Sequence, residues 1–178
     1  MQKHKKTLYK ETEDKLFKYF NRDRIATGLN SQLKTLNSQM KRIEKELKEG
    51  SYINIEEQSS SPGFEERVQT SSTGISYAES QVMQLTDMKL RKKGKLEIDK
   101  QNIIDQLDDL ECIKSEMEWK VEQLSDNYKK MLNLIYKENM NEVQISFKLH
   151  LSQSQVNKRK NQILEKIFMW EKWSYSKS

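Results

Sequence analysis

The sequence predicts an all-α protein: long coiled-coil-like helices followed by a C-terminal three-helix domain of helix-turn-helix type. Three observations predict it. First, 33% of the 178 residues are charged and only 34% are apolar, thin for a compact core but usual for exposed helices that each bury one narrow stripe. Second, proline occurs once and glycine five times, so few segments are forced to break. Third, apolar residues recur at three- and four-residue steps over long stretches. The length suits one or two domains.

Residues 1–49 read as a basic N-terminal helix, with periodicity from about residue 8. Leu29, Leu33, Leu36, Met40, Ile43 and Leu47 follow a 4-3-4-3-4 spacing, the seam of a coiled coil. Gly50 is a stop just beyond it. The earlier "KLFKYF" repeats the spacing with a wider apolar face. Gly28 interrupts the pattern and weakens the expectation of one unbroken helix.

Residues 50–76 collect Ser, Thr, Gly and the single Pro and read as a flexible linker, with a short extended piece at "YINI". Residues 77–122 form a second long helix. Leu96, Ile103, Leu110, Met117 and Leu124 fall seven apart, and Leu107, Ile113, Val121 and Tyr128 fill intermediate positions. Each long helix exposes an apolar stripe, so the two can pair. An intramolecular hairpin and a homodimer through these helices satisfy the pattern equally. Gly94 is a candidate kink.

Residues 123–173 form the terminal domain. Ser125 has the chemistry of an N-cap, with Asp126 favourably placed at the positive helix end. It opens a helix over 125–138 with Leu132 and Ile135 facing inward. The stretch "VQISFKLHLSQSQVNKRKNQILEKI" then fits a helix, a turn and a second helix. Ile145 is the branched apolar residue of the first helix, and Ser146 the small one that allows a close crossing. His150 stands at the turn position that needs positive φ, which histidine adopts more readily than most residues. Leu151 plugs the turn, Ser152 caps the second helix, and Val156 faces inward with Ile163, Leu164 and Ile167.

That arrangement turns the amide and cationic residues outward or to the flanks. Glutamine and asparagine pair with adenine edges, and arginine and lysine contact guanine edges or phosphates. The first residues of the second helix of such a motif lie against the bases, and amides near Ser152 and Gln153 can meet a phosphate. The candidate DNA-binding set is Ser152, Gln153, Gln155, Asn157, Lys158, Arg159, Lys160 and Lys148. Within it, Gln153, Gln155 and Asn157 are the expected base readers.

The charge distribution agrees. Residues 1–49 carry 13 basic and 7 acidic groups, residues 101–127 carry 2 and 8, and residues 128–178 carry 10 and 4. Two basic ends around an acidic middle suit a polyanion partner. Trp170 and Trp173 read as packing residues.

Other classes find little support. There is no nucleophile–base pair, phosphate-cradling glycine loop or metal-ligand cluster, so no enzyme and no cofactor are expected. His150 has only His4 as a fellow histidine. Asp108 and Asp109 are adjacent, so on a helix they point apart. The single Cys112 fits a reducing cytosol. No run approaches a membrane span, and the basic "MQKHKKTLYKETED" lacks the apolar core of a signal peptide. The expected location is the cytoplasm.

From Leu124 to Ile167 the pattern "L…Y…EV-IS-KL-LSQSQV…ILEKI" resembles region 4 of sigma-70-type factors. The wider order is a basic helix with "LFKYF" and "LNSQMKRIEKEL", a polar link, "GISYAES", a second helix and the terminal motif. It resembles the ArpU/RinA-type late transcriptional regulators of Firmicutes phages. The resemblance implies a DNA-binding activator of late or packaging genes, with RNA polymerase as a second partner. His150 departs from the usual turn glycine, and Arg159 stands where sigma factors often carry an apolar residue. Nothing resembles the promoter-melting region 2. The rival expectation is a coiled-coil adaptor or structural protein whose C-terminal domain docks protein partners.

Overall fold

A computed structural model describes the backbone of residues 2–50 and 77–175 and the side chains of 9–50 and 79–171. It is all-α: α1 (Gln2–Glu49), α2 (Tyr77–Glu122), α3 (Asp126–Leu132), α4 (Glu142–Leu149) and α5 (Gln153–Tyr175), with no strand among the described residues. A single π-helical turn, Asn133–Lys137, extends α3. The linker expected at 50–76 lies, apart from Gly50, outside the described residues, and so does Trp173's side chain. No helix among the described residues is long and apolar enough to cross a membrane.

The chain divides into two compact units, residues 30–104 and residues 1–29 with 105–178. In the first, the later part of α1 runs antiparallel to the early part of α2. Ile43, Leu96 and Ile103 are buried between them, while Leu33, Leu36, Met40 and Leu47 are half-buried. Lys93 pairs with Glu44 at 2.9 Å, and Lys89 pairs with Glu46. These contacts close the hairpin within one chain. Gly50 ends α1 at φ 62°, where a side chain would be strained. Helix α2 continues through Gly94, and α1 continues through Gly28.

The second unit is larger than the segment 123–173. Its core joins Leu16 of α1 and Met117, Val121 and Leu124 of the α2 end to Met131, Leu132, Leu134 and Tyr136. Ile145 of α4 and Val156, Ile163, Leu164 and Ile167 of α5 complete it. The wide apolar face of "KLFKYF" is explained here: Leu16, Tyr19 and Phe20 pack into a multi-helix core rather than along one partner. Phe20 stacks on Tyr136 with centroids 6.1 Å apart.

A polar cluster links three helices beside that core. Lys120 is 1% exposed, 2.8 Å from Glu116 and 3.6 Å from Glu171. Lys15 reaches the same carboxylates at 2.9 and 3.2 Å, and Thr12 donates to Glu171 at 2.9 Å. A buried cation is tolerated only when its charge is compensated; here two lysines meet two glutamates. Burial by itself pushes the Glu116 carboxyl upward, but Lys120 and Lys15 outweigh it and hold it below its usual range.

The start of α3 corrects one expectation. The Ser125 hydroxyl makes no cap bond; the Ser125 carbonyl instead accepts from the Tyr128 and Lys129 amides at 2.9 and 3.0 Å. The π turn also shifts the helical phase. Leu132 is buried as expected, but Leu134 and Tyr136 follow it inward and Ile135 is only partly buried. The Tyr136 carbonyl, at the end of this turn, accepts from the Asn21 side-chain Nδ2 at 2.8 Å.

Candidate nucleic-acid interface

Helix α4 opens on a reciprocal capping box. The Gln144 amide donates to the Asn141 side chain at 2.8 Å, and the Asn141 amide donates to the Gln144 side chain at 3.0 Å. The helix closes on His150, at φ 52° and ψ 44°. The His150 amide donates to the Phe147 carbonyl at 3.4 Å, and the Leu151 amide to the Ser146 carbonyl at 3.0 Å. These two bonds are the Schellman pattern, with histidine where glycine is usual. Leu151 packs against the core, as a turn plug should.

After a three-residue turn, α5 opens on a second capping box. The Gln155 amide donates to the Ser152 hydroxyl at 3.2 Å, and the Ser152 amide donates to Gln155 Oε1 at 3.0 Å. The turn is thereby fixed by backbone bonds at its α4 end and by side chains at its α5 end. Helix α5 then buries Val156 (1% exposed), Ile163, Leu164 and Ile167.

The candidate residues fall into distinct environments. Ser152, Gln153, Gln155, Asn157, Lys158 and Lys148 are exposed, while Arg159 and Lys160 are half-buried. Ser152 and Gln155 are engaged in the cap. The Asn157 Oδ1 accepts from the Asn161 side-chain Nδ2 at 3.1 Å. Lys148 pairs with Glu138 at 2.8 Å. Lys160 is not on the outward face: it lies at the inner edge of α5 and pairs with Glu13 of α1.

The outermost wedge of α5 runs through Ser154, Lys158 and Asn161, each exposed and three or four residues apart. Glu165 continues that wedge one turn on and repels phosphates, so the useful face covers only the first turns of the helix. Ser154 and Asn161 were not among the expected contacts; helical spacing from Lys158 alone points to both. Gln162, beside this wedge, lies 3.4 Å from the Tyr128 hydroxyl, and Lys166 sits over the Tyr128 ring at 5.2 Å. Trp170 packs against Trp119 with centroids 6.1 Å apart.

The arrangement presents one helix N-terminus, a cationic and amide surface, and no acid before Glu165 on the outward wedge. No protein-family model, curated protein or solved structure matches this chain, so the functional reading rests on this geometry and on the residues that build it.

Proposed function

We propose that the chain is a sequence-specific DNA-binding transcriptional regulator that docks the first turns of α5 into the major groove. The observation that carries the reading is the two-sidedness of α5. It hides Val156, Ile163, Leu164 and Ile167 and leaves Gln153, Ser154, Asn157, Lys158 and Asn161 exposed. A helix of about 10–12 Å diameter fits the major groove. Gln153 and Asn157 have the chemistry to read adenine edges, while Lys158, Arg159 and Lys148 suit phosphates. Lys148 exchanges an exposed pair with Glu138 for a phosphate at little cost.

The sigma region 4-like pattern supports placing this regulator in the cytoplasm as an activator of phage late genes that contacts RNA polymerase. A coiled-coil adaptor with a protein-docking C-terminal domain is the alternative reading. Selection from a random duplex pool by the full-length protein separates the two. The DNA reading expects enrichment of one motif and loss of that enrichment on Asn157→Ala. An unenriched pool, with the same helical content in the protein, sinks it.

A further inference from the structure

Beside its outermost wedge, α5 carries a second polar stripe. Gln155, Arg159, Gln162 and Lys166 follow a 4-3-4 spacing. At about 100° per residue they fall within roughly 60° of arc, about a quarter turn from Ser154, Lys158 and Asn161 and on the flank turned toward α3. The stripe holds two cations, two amides and no acid, so Glu165 does not close it as it closes the wedge. Arg159 and Lys166 have no carboxylate partner among the described residues, whereas Lys148 and Lys160 are paired with Glu138 and Glu13. The opposite flank carries Gln153 and Asn157 and, among the described residues, no unpaired cation.

Tyr128 of α3 stands against this stripe. Its hydroxyl donates to Gln162 Oε1 at 3.4 Å, and its ring lies 5.2 Å from the Lys166 ammonium. Tyr128 packs against the core, so it is a fixed support, while Gln162 and Lys166 are exposed. A lysine held over a ring loses less side-chain freedom on binding than one free in solvent. A hydroxyl bond of 3.4 Å is long, so Tyr128 exchanges it for a stronger acceptor at little cost. An ammonium, a hydroxyl and a side-chain amide thus stand together on one flank, and all three are donors of the kind that meet DNA phosphates.

We propose that Tyr128, Gln162 and Lys166 form a clamp for a DNA backbone phosphate, with Arg159, two turns before Lys166, meeting the same strand. A helix lying in the major groove turns its flanks toward the two sugar–phosphate walls. The clamp occupies one flank only, so one strand is gripped more firmly than the other. It carries affinity and register rather than base preference. The inference rests on the DNA reading of α5 and adds contact beyond the first turns of the helix.

Titration of the selected duplex and of a scrambled one with the full-length protein, from about 50 to 200 mM salt, tests it, with circular dichroism and urea midpoints as checks of the fold. Lys166→Ala should flatten the slope of log K against log salt by about 0.9 on both duplexes and leave their affinity ratio unchanged. Lys166→Arg should keep the slope. Tyr128→Phe retains the ring beside Lys166 and removes the hydroxyl, and should weaken both duplexes roughly three- to tenfold with the slope unchanged. Replacing phosphates one at a time by neutral methylphosphonates should locate the clamp: one position, on one strand, weakens the wild type and has no effect on Lys166→Ala. Wild-type affinity and slope in Lys166→Ala, with motif selection intact, overturn the clamp alone. So does a scan in which every methylphosphonate penalty survives Lys166→Ala. A chain that selects no motif and shows no salt-dependent duplex binding overturns the clamp and the DNA reading together.

Discussion

The ammonium of Lys160 is held by the carboxylate of Glu13, so a cation of the α5 "KRK" run is neutralised from the first helix of the protein. Glu13 also accepts from the Tyr136 hydroxyl at 3.3 Å. Replacing Glu13→Gln keeps an acceptor for the tyrosine and frees the lysine charge. Duplex affinity at low salt is expected to rise a few-fold, with the slope of log K against log salt steeper by about 0.9 if Lys160 gains one phosphate. Titration of a labelled duplex at several salt concentrations measures both. An unchanged slope shows that Lys160 stays remote from DNA.

Gln155 caps α5 in the structure and is an expected base reader from the sequence, and Gln155→Glu separates the two roles. Glutamate at this position preserves the capping box and suits the positive helix end. Stability to urea should therefore hold, or rise by a few tenths of a kcal/mol. Duplex binding should weaken, with base preference lost at one operator position if the glutamine reads an edge. Uniform weakening across sequences, without a lost preference, restricts Gln155 to the cap.

Leu16 of α1 is fully buried in the core of the unit that carries α5. Leu16→Ala removes buried methyl groups and leaves a cavity, at a cost of about 2–5 kcal/mol. The urea midpoint should fall and duplex binding should fall with it, although Leu16 lies far in sequence from the proposed interface. A loss below about 1 kcal/mol contradicts the packing described for α1.

Glu116, Lys15 and Tyr136 contribute to the pH limits of the same unit. Glu116 titrates below its usual value of 4.5, so its contribution is fully present above about pH 4.5 and is lost as pH falls further. Lys15 titrates above 10.5: burial pulls it down, but Glu116 and Glu171 more than compensate. Burial, then the Glu13 carboxylate, pushes the Tyr136 phenol well above 10. Both contributions are complete at neutral pH and decline as pH rises beyond about 10. Urea midpoints against pH should show a plateau bounded by these limits. Tyr136→Phe should shallow the alkaline fall without moving the acid limb.

Much of this was legible in the residues. The heptad Leu96, Ile103, Leu110, Met117 and Leu124 is buried throughout, because a seven-residue repeat names the face that must leave water. Gly50 and His150 adopt positive φ where local turn chemistry requires it. Periodicity identifies an apolar face but not what covers it. The docking of Leu16 and Thr12 beside α5, and the pairing of Lys160 with Glu13, depend on contacts far apart in sequence. Hairpin and dimer share one seam pattern, so it is cross-helix pairs such as Lys93–Glu44 and Lys89–Glu46 that show the chain closing on itself. The Ser152-x-x-Gln155 box was readable by its spacing, yet Gln155 also suits adenine. The π turn at 133–137 leaves no periodic mark, which is why Ile135 rather than Leu134 and Tyr136 was expected inside.

The most direct test is the affinity of the full-length protein for its selected duplex and for a scrambled duplex, measured from about 50 to 200 mM salt, with Lys158→Ala and Asn157→Ala alongside. The account predicts a specific site bound at least about 10³-fold tighter than the scramble. Lys158→Ala should flatten the salt slope on both duplexes, and Asn157→Ala should cost about 1–3 kcal/mol on the specific site alone. Equal affinity for the two duplexes, unmoved by either substitution, would contradict it.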